Sequence, residues 1–399
     1  MGNSIFQRAD RIGDVQISDI VRMSEAARTR RADGHDVISL GIGEPDFRTP
    51  DHVNDVAIKA IHDGDTNYPP IAGKPLLRAA VARAYDGMTA DNVIVSSGSK
   101  YTLLNAFLAS VNDGDEVILP APFWASYADI VTVCGGVPVI VPGHADQGFQ
   151  LDIDAIRQAM SPRTKWILIN TPSNPTGAVM TAEIMTALGD VLADHPQCWV
   201  MSDEIYEHLI YDAEFISAYT HLPQLRDRML ITNGVSKAYA MTGWRVGYGI
   251  GPVELIKAMT SVQAQGTSGT CSIAQAAALA ALEGPQTLLD ERCMAFRTRR
   301  DLVLGYLHAM DGITTPTPEG AFYTFSSWVG LQGGITPDGK TLTTDHDFCS
   351  YILEAANVTI IPGTGFATPG HFRISYACDE DDLRRALSRM GDAVAAIKT

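Results

Sequence analysis

Between Ile231 and Ile250 the chain reads ITNGVSKAYAMTGWRVGYGI. Both ends of this stretch are short apolar runs of the kind that form buried strands. Between them, small residues enclose Lys237, and Arg245 follows inside GWRVG. Lysine and arginine are rarely buried without a partner, because their charge is costly to desolvate. The segment calls for an anion, or for chemistry that uses an amine, at the end of a buried strand.

The same kind of run recurs upstream. NVIVSS, DEVILP, VPVIVP, KWILIN and CWVMSD each read as a buried strand, as do MLITNG and RVGYGI around the lysine. Their lack of polar alternation predicts a sheet covered on both faces, and therefore largely parallel. SKYTLLNAFLASV and TAEIMTALGDVLADH have helical spacing, the second opening with a Thr-x-Glu start signal. The fold expected is α/β and doubly wound, with ligands beyond the carboxyl ends of the strands. The chain ends differ from this pattern. SDIVRMSEAARTRRADG reads as a basic amphipathic helix closed by Gly34. AFYTFSS, VTIIPG and HFRISYA read as strands before a final helix, DEDDLRRALSRMGDAVAAI, and LQGGITPDGK reads as a loop insertion. We expect residues 1–48 to form an N-terminal arm and part of a small domain, 49–315 a large domain, and 316–399 the rest of the small one.

At 399 residues, with 46% hydrophobic and 19% charged residues, the chain has the composition of a globular protein with a sizeable core. Its net charge of −16 argues against nucleic acid or an anionic membrane as partner. The six cysteines are scattered without a CxxC pair, which fits unpaired thiols in a reducing compartment rather than disulfides or a metal site. MGNSIFQRADRIGD lacks the apolar stretch of a signal peptide, and Phe6 stands where myristoylation requires Ser or Thr. No run reaches membrane-spanning length. The expected setting is the cytoplasm.

Other unusual residues fall where the strands stop. Ser97-Gly98-Ser99-Lys100 forms a turn feeding a helix, which aims free N–H groups at an anion. Trp124 follows DEVILP, Asn174 sits between two prolines after KWILIN, and Asp203 ends CWVMSD with Tyr206 one helical turn on. Singly, each also fits a plain βα turn, a core aromatic, a loop or a helix cap. Gathered at one sheet edge with Lys237 and Arg245, they suit a flat, phosphorylated, aromatic cofactor whose ring nitrogen must stay protonated. Pyridoxal 5′-phosphate meets that description.

Over nearly its full length the chain resembles the fold-type I pyridoxal-phosphate enzymes of the class I aminotransferase family, near the bacterial aspartate aminotransferases. SLGIGEPDFRTP, YPPIAGKPLLRAAV, PSNPTG, SDEIYEHL, VSKAYAMTGWRVG, EGAFYTF and FRISYA carry the resemblance. It implies that Lys237 bonds to the cofactor aldehyde and then moves protons as general base and acid. Gly234 and Gly243 are read as leaving room for the cofactor. The resemblance further implies that Arg245, Ser236 and the turn of Gly98, Ser99 and Lys100 hold the phosphate, and that Asp203 faces the pyridine nitrogen. Tyr206 and Asn174 would bond the ring oxygen, and Trp124 would stack on the ring. Arg373, with Asn174 and the backbone of Gly41, would hold the substrate α-carboxylate. Tyr68 would reach the phosphate of a second subunit, which makes each site of a homodimer shared.

The activity implied is ping-pong exchange of an amino group between an L-amino acid and a 2-oxo acid, with aspartate and 2-oxoglutarate as the pair expected. Lys100 would read the distal carboxylate. Two departures point toward neutral or aromatic substrates instead. Ile17-Ser18-Asp19-Ile20 replaces the relatives' Pro-Ser-x-Thr, bringing a like charge near, and Gly266 stands where a small hydroxyl residue is common. The same resemblance leaves room for a carbon–sulfur lyase or an aminocyclopropane-carboxylate synthase. A ligand-sensing regulator is also compatible, although the acidic charge and the short segment before SLGIGEPDF disfavour it.

Overall fold

The structure is a computed structural model describing residues 6, 8–13, 15 and 17–398. Its strands are β1 (Ile38–Ser39), β2 (Val93–Ser96), β3 (Glu116–Pro120), β4 (Val137–Val141), β5 (Thr164–Asn170), β6 (Trp199–Asp203), β7 (Met229–Gly234), β8 (Gly247–Ile250), β9 (Tyr323–Ser327), β10 (Val358–Thr359), β11 (Ile361–Pro362) and β12 (His371–Ser375). Seven of them form one sheet in the order β2-β8-β7-β6-β5-β3-β4. All neighbours run parallel except β8, which is antiparallel to both β7 and β2.

The apolar runs have a direct structural cause. Side chains alternate across a strand, and here both faces are covered. Val93, Val95, Ile167, Ile169, Val200 and Ile231 enter one core. Their immediate neighbours Ile94, Trp166, Leu168, Met201 and Leu230 enter another. VPVIVP departs from the expectation of a buried strand. As β4 it is the sheet edge, with no further strand beyond it among the described residues, and Val137 and Ile140 are about half exposed.

The chain ends build a third core. β12 lies between β11 and β9 in an antiparallel sheet, and β1 pairs in parallel with β10. VTIIPG is thus divided, β10 joining the N-terminal segment and β11 the C-terminal sheet. Phe296, Val303 and Leu307 of the helix Thr287–His308 enter this core as well, so the segment before residue 315 contributes to it. Asp19–Ala32 is helical and ends with Gly34 at φ 92°, a left-handed position that suits glycine.

Candidate active site

The topology sends five strand ends and one strand start to the same edge. β2, β3, β5, β6 and β7 finish there, and because β8 runs backwards, Arg245 just before it arrives beside Lys237. A cleft of about 360 Å³ opens at this edge. Ser99, Lys100, Trp124, Asn174, Asp203, Tyr206, Ser236, Lys237, Arg245 and Arg373 all line it. Gly41 and Gly98 adjoin it through their contacts with the two arginines. Tyr68 does not enter it: this side chain is 91% exposed on the surface.

Lys237 Nζ donates to the carbonyl of Gly43 at 2.6 Å. Burial, together with Arg373 and Arg245, lowers its pKa to about 8, while Glu44 and Asp203 oppose the shift. The loop that carries it is held in an uncommon conformation, with Ala240 at φ 53° and Arg245 at φ 57°. Outside contacts fix that shape. Thr49 Oγ1 donates to the Ala240 carbonyl at 3.0 Å, and Arg292 Nη1 to that of Ala238 at 2.7 Å. Arg245 Nη1 itself donates to the Thr242 carbonyl at 2.8 Å.

Asp203 ends β6 almost wholly buried, and burial raises its pKa to about 6. The Tyr127 hydroxyl donates to its Oδ2 at 2.7 Å and the Ile205 N–H to its Oδ1 at 3.3 Å, both favouring the charged form. Asn170, the last residue of β5, ties this region together: its amide donates to the Asp203 carbonyl, and its side-chain oxygen accepts from the Asn174 N–H. The hydroxyls of Tyr206 and Tyr323 share a hydrogen bond of 2.9 Å.

Gly98 precedes the helix Ser99–Ser110 at φ 87°, and a Cβ there would strike the Arg245 guanidinium at 2.4 Å. Glycine is therefore required for the helix N-terminus and the arginine to share the corner. Among the described residues the N–H groups of Ser99 and Lys100 have no backbone acceptor, while Ser99 Oγ donates to the Asn233 carbonyl at 2.8 Å. Gly234 serves a different need from the one expected. A Cβ on it would meet Gly247 Cα and the Val246 carbonyl at 2.9 Å, so its own neighbour strand demands the glycine. Around Gly243 the space is open.

Arg373 is the most exacting residue here. It is 1% exposed, and its partners are neutral: Asn174 Oδ1 at 2.9 Å and the Gly41 carbonyl at 2.6 Å. Its Nε is buried with no hydrogen-bond partner among the described residues. A buried guanidinium whose hydrogen-bond partners are neutral oxygens, and which otherwise lies over the rings of Tyr323 and Phe366, is suited to receive an anion. Together with Lys237, Arg245 and Lys100, it makes the cleft basic in a chain of net charge −16.

Lys100 is less solitary than the sequence suggests. Its Nζ donates to Ser126 Oγ at 3.1 Å and lies 4.5 Å from the centre of the Trp124 ring. Burial and Arg245 lower its pKa, with Asp129 opposing. Trp124 consequently has one approach to its ring taken by this ammonium. Asp19 does not bring its charge into the cleft, because successive helical residues point about 100° apart. Ile20 lines the cleft, whereas Asp19 packs beside Gly365, 3.7 Å from His346 Nε2. At Gly266 the room is filled by the Tyr101 hydroxyl, which a Cβ would hit.

Tyr127, Asn170 and Tyr323 were not singled out from the sequence, nor were Ile42, Glu44 and Thr242, which also line the cleft. Asn170 was the findable one, as the polar last residue of an apolar strand. Among the described residues, no group of His, Cys, Asp and Glu is arranged to hold a metal ion, and no helix is long and apolar enough to cross a membrane.

Residues 35–390 match the family model for aminotransferase class I and II. The chain is 48% identical to an aspartate aminotransferase of Rhizobium meliloti (strain 1021), covering 97% of this chain and 96% of that one. It is 46% identical to a probable aspartate/prephenate aminotransferase of Rhizobium leguminosarum bv. phaseoli, covering 98% and 99%. Among solved structures, a Rhizobium meliloti aspartate aminotransferase superposes with a TM-score of 0.95 at 47% identity, covering 98% of this chain and all of that one. A Thermus thermophilus aspartate aminotransferase with maleate gives 0.90 at 39% identity, with the same coverage.

Proposed function

This chain belongs to the class I and II aminotransferase family, as a pyridoxal-phosphate-dependent transaminase, and on that premise we propose that it exchanges the amino group of L-aspartate with 2-oxoglutarate. The observation that carries the substrate choice is the pair of cations in one cleft. Among the described residues Arg373 meets no carboxylate, and Lys100 donates to a hydroxyl beside an aromatic ring, with Asp129 the acid that opposes its lowered pKa. A dicarboxylic amino acid gives each of them a carboxylate. Maleate, named with the Thermus thermophilus relative, is also a dicarboxylate.

The donor set fits the cofactor. Arg245, Ser236 and the free N–H groups of Ser99 and Lys100 would hold its phosphate, Asp203 its ring nitrogen, Tyr206 and Asn174 its ring oxygen, and Trp124 its face. When bound, the cofactor supplies an aldehyde that captures amino groups and, once its nitrogen is protonated, an electron-withdrawing ring. Asp203 keeps that nitrogen protonated, and the two hydrogen bonds it accepts keep its own carboxylate charged. Arg373 forks onto the α-carboxylate and orients the Cα–H bond. Lys237 Nζ takes the proton from that carbon. An amine with a pKa near 8 is roughly one-tenth free at pH 7, against less than about one-thousandth for an ordinary lysine, and is still basic enough to do so.

Tyr68 acts from a second copy of the chain in this reading, supported by its exposure and by the exposed Val56, Ile58 and Ile61 on the helix Asp51–His62. The small domain comprises both chain ends, and the acidic charge and six unpaired cysteines favour a cytoplasmic setting. The test is purified protein with aspartate and 2-oxoglutarate: one glutamate should appear per oxaloacetate. Activity confined to alanine or phenylalanine as donor would overturn the substrate choice.

A further inference from the structure

A second cavity, of about 330 Å³, opens beside the helix Pro75–Ala82, the end of the helix Ser272–Glu283 and the segment after Tyr206. Val81, Ala84 and Leu282 give it an apolar wall, while Tyr85, Tyr239, Tyr248 and Glu207 supply hydroxyls and a carboxylate. Glu207 Oε1 accepts from Asn233 Nδ2 at 2.6 Å, and its other oxygen receives no hydrogen bond among the described residues. Among the described residues the basic group paired with it is His208, at 3.4 Å. One turn earlier, Glu204 accepts from Ser202, Ser217 and the Ala218 N–H through Oε1, and its Oε2 is buried without a partner. Neither carboxylate meets a lysine or arginine among the described residues.

Tyr239 donates to Gln286 at 2.7 Å, and Tyr85 lies by the Asn233 amide. The Tyr248 hydroxyl is different: the residue is 6% exposed and lines the cavity, and its hydroxyl makes no hydrogen bond among the described residues. The Tyr248 hydroxyl and the second Glu207 oxygen, on a side chain 23% exposed, therefore both keep hydrogen-bonding capacity for a ligand in the cavity. Burial also raises Glu207, with His208 and Asn233 opposing, and burial together with the Glu207 carboxylate pushes Glu204 to about 8. The cavity is thus the inverse of the main cleft, short of positive charge where the cleft is short of negative. An inorganic cation would satisfy the carboxylate and leave the apolar wall unused. The volume equals that of about ten waters at roughly 30 Å³ each, near the lower limit of small-molecule sites.

We propose that this cavity binds a small organic ammonium ion, whose N–H groups meet Glu207 and the Tyr248 hydroxyl while its hydrocarbon part lies on Val81 and Leu282. Its position has a consequence for the cleft. Asn233, which donates to Glu207, accepts from Ser99 Oγ at 2.8 Å, so one buried residue separates the ammonium from the helix N-terminus of the cleft.

The experiment uses holoenzyme reduced with borohydride, so that an added amine cannot exchange at Lys237. It is titrated calorimetrically with n-butylammonium chloride, with 1-butanol and KCl as controls at matched ionic strength. Saturable binding, one site per chain, is expected, with 1-butanol at least roughly tenfold weaker. Tyr248→Phe removes only the hydroxyl and should weaken binding about fivefold; Glu207→Gln should weaken it at least as much. Should Glu207→Gln fail to fold, Tyr248→Phe decides. No saturable heat, equal binding of 1-butanol, displacement by an equal concentration of KCl, or unchanged affinity in Tyr248→Phe would each overturn the proposal.

Discussion

Lys100→Ala separates the two carboxylate-binding cations, because Arg373 serves every amino acid whereas Lys100 serves only those with a distal acid. At about 4 Å, a charge pair in the effective dielectric of a partly exposed site is worth roughly 4 kcal/mol. Part of that is offset, since the ammonium must give up its contacts with Ser126 Oγ and the Trp124 ring. A hydrogen bond between charged groups contributes about 1.5–3 kcal/mol net. The expected loss for aspartate is therefore about 2–3 kcal/mol, or roughly 30- to 150-fold in kcat/KM. Alanine and phenylalanine gain no carboxylate contact from Lys100 and should change by less than about threefold. The assay is steady-state kinetics with each donor and saturating 2-oxoglutarate, in wild type and variant. Equal losses on all three donors would make Lys100 a helper of the phosphate corner beside Arg245. No loss on any would remove it from recognition. The apolar Ile20 and Ile42 in the cleft would then favour neutral donors.

Lys237→Ala should retain bound cofactor but lose the borohydride-reducible visible band, as read by absorption; a reducible band in the variant would contradict the assignment. Asp203→Asn should bind cofactor yet slow single-turnover proton removal by on the order of 4 kcal/mol in barrier, and near wild-type rates would return Asp203 to a structural role. In cofactor-free protein, capture of added pyridoxal phosphate should accelerate roughly tenfold per pH unit up to about pH 8 and level off above it, because the free amine is the reacting form and its pKa lies near 8. A profile still rising to pH 10 by stopped-flow would mean that burial does not lower this pKa. Tyr68→Phe should weaken cofactor retention, and mixing it with Lys237→Ala chains should restore activity in heterodimers that carry both lesions in one site and leave the other intact.

What the sequence disclosed and what it hid divide along a physical line. A strand buried on both faces must be apolar throughout, so a polar or charged residue at its end stands out against a uniform background. Asp203 and Lys237 were legible for that reason, and the reversal of β8 that brings Arg245 to them needed only the right edge of the sheet. Contacts made between side chains of distant segments leave no such mark. Tyr127 is an ordinary helical aromatic until β6 places Asp203 Oδ2 within 2.7 Å of its hydroxyl. Tyr323 is one aromatic among several in its strand until it meets Tyr206. Position alone also misjudged Asp19, where a single helical step turns the carboxylate from the cleft toward His346. The glycines divide the same way. Gly98 is demanded by a left-handed φ and by the bulk of Arg245, Gly234 by Gly247 across the ladder, and Gly266 by a tyrosine hydroxyl. In each case the residue type announces a close approach, and only the fold supplies the group that approaches. The basic cleft follows from the same asymmetry. Lys237 and Arg245 share one loop, but Lys100 comes from another strand end and Arg373 from the C-terminal sheet, so no local window of an acidic sequence shows all four together. Arg373 reaches Gly41 and Asn174 from β12, the central strand of its sheet, and that placement leaves its guanidinium at the cleft with neutral partners and a buried Nε that none of the described residues pairs.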